Sequence, residues 1–155
     1  MIYTTVVGRA PAAGSDTPFE AVSLTWEERQ RRVLRLVTSS GREVGIRLSN
    51  GGLKVGDVLG GEAGGKLPPL VVTAAPEPFM VIAPPTRQAF AAAAHFIGNR
   101  HIQAWISESE ILVREDGALA KALAALGIEV RMETRQIDDE TYIASGGGHT
   151  PHVHH

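Results

Sequence analysis

Four of the six histidines fall in the last seven residues, spaced His149-x-x-His152-x-His154-His155. Neutral imidazole is a good ligand for nickel, copper and zinc. A pliable chain can wrap two or more such rings around one ion. Gly146-Gly147-Gly148 precedes the run, and glycine-rich sequence behaves as flexible coil. Fully extended, the ten residues from Gly146 reach about 30 Å. An added affinity tag is the other reading of a terminal histidine cluster. The interruptions at Thr150, Pro151 and Val153 count against it. Binding strength rises from nickel to copper, so the tail alone does not name its metal.

The chain has no cysteine. Disulfides, thiolate metal sites and cysteine nucleophiles are therefore excluded, and metal chemistry must use histidine and carboxylate. The remaining histidines are His95 and His101. His95 is expected to be exposed. His101 follows a helix end in Gly98-Asn99-Arg100-His101. By itself it is one ligand, and a surface or capping histidine near a helix C-terminus is favourable in its own right. Two-fold symmetry changes the count. A residue close to a dimer axis occurs twice, so two His101 rings would form a pair that mobile tails could complete.

Signals for catalysis are poor. Asp57, Glu62, Glu77, Asp116, Asp138, Asp139 and Glu140 are scattered, with no pairing signature, and no serine sits in a nucleophile elbow. Gly60-Gly61 and Gly64-Gly65 lack the Gly-Lys-Ser/Thr ending and the following helix of a phosphate loop.

The elements that must hold these residues divide the chain in two. Residues 2–7, 32–38, 43–48, 54–59 and 70–73 read as short strands, separated by turns such as Ser39-Ser40-Gly41 and Asn50-Gly51-Gly52. Gly14, Ser15, Asp16 and Pro18 mark a loop. The pattern suggests a small all-β sandwich or barrel. The charged stretch 26–35 reads as a solvated face. Ala75-Pro76-Glu77-Pro78 looks like a boundary. Beyond it come a strand at 79–83 and a helix capped by Thr86, with Phe90, Ala94 and Ile97 on one face and Gly98 as its left-handed end. Strands at 102–106 and 111–114 follow. Asp116 caps a second helix bearing Leu119, Leu123 and Leu126, Gly127 stops it, and residues 128–132 form a last strand. The order β-α-β-β-α-β is the ferredoxin-like split unit. The fold class is thus α+β: an all-β domain at 1–76, a ferredoxin-like domain at 77–143 and a flexible histidine-containing tail at 144–155.

The 155 residues allow one large domain or two small ones. A formal charge of −2 and 5% aromatics argue against a nucleic-acid binder. No apolar run approaches the roughly 20 residues of a membrane span. No basic region followed by an apolar stretch opens the chain, so no secretory signal is expected. The absence of cysteine fits the cytoplasm, which is the expected location.

Several segments, taken in order, resemble the UreE family of urease accessory proteins. They are Leu24-Thr25-Trp26-Glu27-Glu28-Arg29-Gln30, Gly41-Arg42-Glu43-Val44-Gly45-Ile46, Val55-Gly56-Asp57-Val58-Leu59, Phe96-Ile97-Gly98-Asn99-Arg100-His101, Leu112-Val113-Arg114-Glu115-Asp116 and Leu123-Ala124-Ala125-Leu126-Gly127. The most specific is the helix-end Gly-Asn-Arg-His. The resemblance implies a nickel metallochaperone, not an enzyme, that delivers Ni2+ to apo-urease. It implies an N-terminal domain that engages partners and a homodimer built through the C-terminal domains. His101 would meet its mate there, and His149, His152, His154 and His155 would add ligands. The implied partners are the GTPase UreG and the urease pre-activation complex, with no nucleic acid or membrane. Zinc and copper also suit the donor set. The chain departs from the family pattern at His95-Phe96, where members often carry tyrosine then histidine. Arg114, Glu115 and Asp116 stand where some members have further histidines.

Two other classes compete. A metal-dependent hydrolase would need a fixed open site and a general base, and neither can be named. A metal-independent RNA- or protein-binding module with a ferredoxin-like domain would need a basic or aromatic sheet face.

Overall fold

The computed structural model describes residues 1–10, 19–61 and 66–147. The loop residues Gly14, Ser15, Asp16 and Pro18 and the four tail histidines lie outside that range. The chain divides into two compact units after Ala75.

The first unit contains β1 (Ile2–Tyr3), β2 (Thr5–Arg9), β3 (Glu20–Leu24), α1 (Trp26–Gln30), β4 (Val33–Val37), β5 (Glu43–Arg47), β6 (Asp57–Gly60) and β7 (Leu70–Ala74). The strands form two sheets, ordered β1-β5-β4 and β2-β6-β7-β3. Residues 2–7, expected as one strand, are split at Thr4 between the two sheets. Tyr3 pairs with Ile46 in one sheet and Thr5 with Gly60 in the other. The chain thereby joins the sheets around a shared core that includes Tyr3, Val22, Leu24, Leu34, Ile46, Leu59 and Val72.

The charged stretch at 26–35 is largely solvated, with Glu27, Arg31, Arg32 and Arg35 exposed, and Arg29 is the exception. Its first half is the short helix α1. Thr25 caps it through a reciprocal box with Glu28: the Glu28 amide donates to the Thr25 hydroxyl and the Thr25 amide to the Glu28 carboxylate. Arg29 is fully buried. Its Nη1 donates to the Leu24 carbonyl at 3.4 Å, and its own carbonyl accepts from Gly52 and Leu53. The helix is therefore wedged beneath the turn at 48–53. The long apolar stem of arginine makes such burial tolerable.

The second unit contains β8 (Glu77–Ile82), α2 (Arg87–Asn99), β9 (Ala104–Ile106), β10 (Ile111–Val113), α3 (Gly117–Ala125), β11 (Val130–Arg135) and β12 (Ile143–Ser145). Five strands form one antiparallel sheet ordered β11-β8-β10-β9-β12. Period-two alternation sends Met80, Ile82, Ala104, Ile111 and Val113 into a core with Ala93 and Ile97 of α2 and Leu119 and Leu123 of α3. The alternate residues Phe79, Val81, Trp105 and Leu112 are buried as well. Phe79 and Trp105 meet edge to face with centroids 5.3 Å apart. The Arg114 guanidinium lies over both rings and pairs with Glu77 at 2.8 Å.

Thr86 and Asp116 cap α2 and α3 through the amides of Ala89 and Leu119. Leu126, expected on the buried face of α3, is the C-cap and is 57% exposed. Two further expectations fail near the histidines. Gly98 does not end α2 in a left-handed conformation, because the helix continues through Asn99. Ala144 and Ser145 are not free tail. They pair with Trp105 and Ala104 as part of β12.

Candidate metal centre

α2 sets the position of His101. Its last turn closes as the Arg100 amide donates to the Ile97 carbonyl and the His101 amide to the Gly98 carbonyl, each at 3.1 Å. Arg100 caps the helix, and its guanidinium lies 5.2 Å from the Phe96 ring centroid. His101 then takes the left-handed conformation with φ 56° and is the one non-glycine among the described residues to do so. Helices often end on such a residue, usually glycine. Histidine is one of the few other types found there with any frequency. The reversal turns the chain out of α2 and into β9. It leaves the imidazole exposed, with no hydrogen bond or ion pair among the described residues.

His95 is exposed on α2, on the side away from Ala93 and Ile97, which carry that helix into the core. Among the described residues, no three side chains of His, Asp or Glu gather in a way that could hold a metal ion. His101 is thus a single accessible donor, and a site of useful affinity must draw its other ligands from elsewhere.

The sequence gives no warning of where the tail begins. β12 runs antiparallel to β9, with Ile143 opposite Ile106 and Ser145 opposite Ala104. Each step forward from Ser145 therefore moves back along the partner strand, toward residues 103, 102 and 101. The Gln103 amide donates to the Ser145 carbonyl at 3.1 Å and to the Ala104 carbonyl at 3.3 Å. Gly146 and Gly147 have φ of 72° and 76°. A Cβ on Gly146 would stand 2.5 Å from the Ile102 carbonyl oxygen, and one on Gly147 would stand 2.4 Å from Oε1 of Gln103. The backbone at the base of the tail thus lies against Ile102 and Gln103, the two residues that follow His101. Only glycine permits that approach with those backbone angles. His149, His152, His154 and His155 lie outside the described residues.

The two units coincide with two family matches. Residues 4–66 match the model described as "UreE urease accessory protein, N-terminal domain". Residues 77–155 match that of the C-terminal domain of the same protein. The chain belongs to the UreE family of urease accessory proteins. It is 35% identical over 139 residues to the urease accessory protein UreE of Geobacillus kaustophilus, covering 88% of this chain and 92% of that relative. It is 34% identical over 128 residues to UreE of Halalkalibacterium halodurans, covering 83% and 84%. It is 36% identical over 120 residues to UreE of Staphylococcus aureus strain MRSA252, covering 77% and 78%. Membership in the UreE family places the chain among accessory proteins of urease maturation. No helix among the described residues is long and apolar enough to cross a membrane.

Proposed function

We propose that this chain is a cytoplasmic nickel carrier that hands Ni2+ to apo-urease and is not itself a catalyst. The observation that carries the reading is the convergence at the end of α2. An exposed, unpartnered imidazole at His101 stands one residue from the backbone against which the base of a four-histidine tail is packed. A carrier must release what it binds. Imidazoles on an exposed turn and a terminal tail are exchangeable ligands, whereas a closed buried site would hold its ion.

One His101 is too few, so the working unit is a homodimer formed through the second, ferredoxin-like unit, where two His101 rings face one another across the axis. His149, His152, His154 and His155 supply further ligands. Zinc and copper compete for the same donors. The first unit serves protein contacts, with the GTPase UreG and the urease pre-activation complex as the partners implied by the family resemblance. The RNA-binding alternative finds little support. The aromatic side chains borne by strands, Tyr3, Phe79 and Trp105, are all buried, so none offers a base a stacking surface.

Calorimetric titration with nickel tests the proposal on the full chain, on His101→Ala and on a chain ending at Gly147. The expected result is one tight nickel per dimer, lost with His101→Ala and weakened by truncation. Unchanged binding in His101→Ala would overturn the interface site.

A further inference from the structure

We propose that the open edge of β4 is a docking site for an extended, acidic segment of a partner protein, which joins the first unit as a further strand beside Val33, Arg35 and Val37. The inference deepens the reading of the first unit as the one that serves protein contacts, and rests on that reading.

β4 ends the three-stranded sheet β1-β5-β4. Its register against β5 decides which backbone groups are already bonded. The Thr38 amide donates to the Arg42 carbonyl, and the Leu48 amide to the Arg32 carbonyl. Bonded pairs recur at every second residue of an antiparallel ladder, so Leu36 bonds Val44 and Leu34 bonds Ile46. The amides and carbonyls of Val33, Arg35 and Val37 therefore face the open edge, and no described residue bonds them. The same three residues hold the outer face. Leu34 is buried, whereas Val33 is 65% and Val37 58% exposed, and Arg35 is exposed too. Beyond β4 the edge is closed, because the Ser39 amide donates to the Ala21 carbonyl and the Ala21 amide to the Ser39 hydroxyl.

Proteins ordinarily blunt such edges, since an unpaired strand invites another. β1 is only two residues long, β2 is interrupted by a bulge between Val6 and Gly8, and β11 bears Arg131, Glu133 and Arg135. β4 is regular over five residues and sets two exposed valines around one charge. Gly45 stands opposite Arg35 and adds no side chain. It leaves an open hollow of about 430 Å³ lined by Ile2, Val33, Arg35, Glu43 and Arg47.

Charge selects the occupant. Arg31 and Arg32 just before β4, Arg35 on it and Arg47 on β5 are all exposed, and none makes an ion pair with a described residue. Glu43 is the one acid lining the hollow. A second copy of the chain is a poor fit. Antiparallel pairing of two β4 strands over their full length sets Arg35 against Arg35, and like charges directly opposite one another repel. A partner strand with an acid opposite Arg35, and apolar residues opposite Val33 and Val37, matches all three side chains. In strand addition the main-chain bonds supply affinity and such alternate side chains supply specificity.

The test uses the full chain and two capped peptides, Thr-Val-Thr-Glu-Thr-Val-Thr and the same sequence with lysine at its centre. Both read the same in either direction, so strand orientation does not matter. Amide NMR spectra locate binding and give its strength. The acidic peptide is expected to shift the amides of Val33, Arg35 and Val37, and the lysine peptide to bind on the order of tenfold more weakly. Arg35→Glu, an exposed change checked for folding by circular dichroism, should reverse that preference. A residue that merely supports the fold would not produce such a reversal. Absence of binding, an unreversed preference, or shifts confined to other strands overturns the proposal. So do β4 amides that shift with protein concentration alone, which would make the occupant a second copy. Shifts elsewhere in the first unit leave that unit as the contact surface and remove only the β4 site. Nickel titration of Arg35→Glu should match wild type, so the outcome at β4 is read separately from the metal site.

Discussion

Tyr142 donates its hydroxyl to the Glu110 carboxylate at 2.6 Å, joining residues 32 positions apart in sequence. The same carboxylate receives two bonds from Arg135, at 2.5 and 3.2 Å. Arg135 ends β11 and Tyr142 immediately precedes β12, so both ends of that connection are held by one acid in the turn between β9 and β10. Arg135 also pairs with Glu133 at 3.0 Å. Arg131, then Arg135, hold the Glu133 carboxyl below its usual range. The route from the sheet to the tail is thus fixed by a small charged network.

That network predicts an alkaline transition. Burial first, and then the bond to Glu110, push the Tyr142 hydroxyl up from 10 to about 12. The folded state holds this proton more tightly than the unfolded one, so its contribution is full below pH 10 and disappears as the pH climbs to about 12. Tyr142→Phe has no such proton to lose. Urea midpoints of the two proteins should therefore differ at pH 9 and draw together by pH 11.5. A gap that stays constant across this window would show that Tyr142 ionises at its ordinary value.

Arg29 predicts a large stability effect from a residue type usually found in water. It is fully buried, and its guanidinium donates to the Leu24 carbonyl. Arg29→Ala removes a side chain as large as those of the core and should cost about 2–5 kcal/mol, the range of large-to-small changes in a packed interior. Denaturant melts of the variant measure it. A cost under about 0.5 kcal/mol, typical of surface substitutions, would mean that the side chain escapes to solvent.

Arg29 also shows where the sequence is illegible. In the second unit the periodicities, the Thr86 and Asp116 caps and the strand order are readable, because alternation and capping are local. Burial of one arginine among Glu27, Glu28, Arg31 and Arg32 is not local. It depends on the turn at 48–53 closing over α1. β3 was missed for a similar reason: Glu20–Leu24 gains its identity from parallel pairing with β7, some 50 residues later. At the candidate site, the histidines were conspicuous by type and spacing. The left-handed residue was misplaced at Gly98 because glycine is the usual occupant, and β12 was hidden because Ala144 and Ser145 carry no strand signal of their own.

Metal affinity should depend on pH with a sign set by proton competition. An imidazole must be neutral to bind, and an ordinary histidine side chain titrates near 6.5. Lowering the pH from 8 to 6 therefore sets protons in competition with the metal, and apparent nickel affinity should fall. Titrations at pH 8, 7 and 6 would count the ligands from the slope. A flat profile would exclude histidine ligation.

The conformation of His101 separates its role as ligand from its role in the fold. With φ 56°, it occupies a position that penalises any residue bearing a Cβ by roughly 1–2 kcal/mol. Glycine escapes that penalty and forfeits about 0.4–1 kcal/mol through the greater freedom of its unfolded chain. His101→Gly should therefore be more stable than His101→Ala, by up to about 1.6 kcal/mol, while both lose the same nickel site. Denaturant midpoints and nickel titrations on the two variants read the two effects independently. Equal loss of metal with unequal stability would mean that histidine is retained at a glycine position for its imidazole, at a cost to the fold. If instead glycine preserved nickel binding, the imidazole would be no ligand, and His101 would be only the residue that turns α2 into β9.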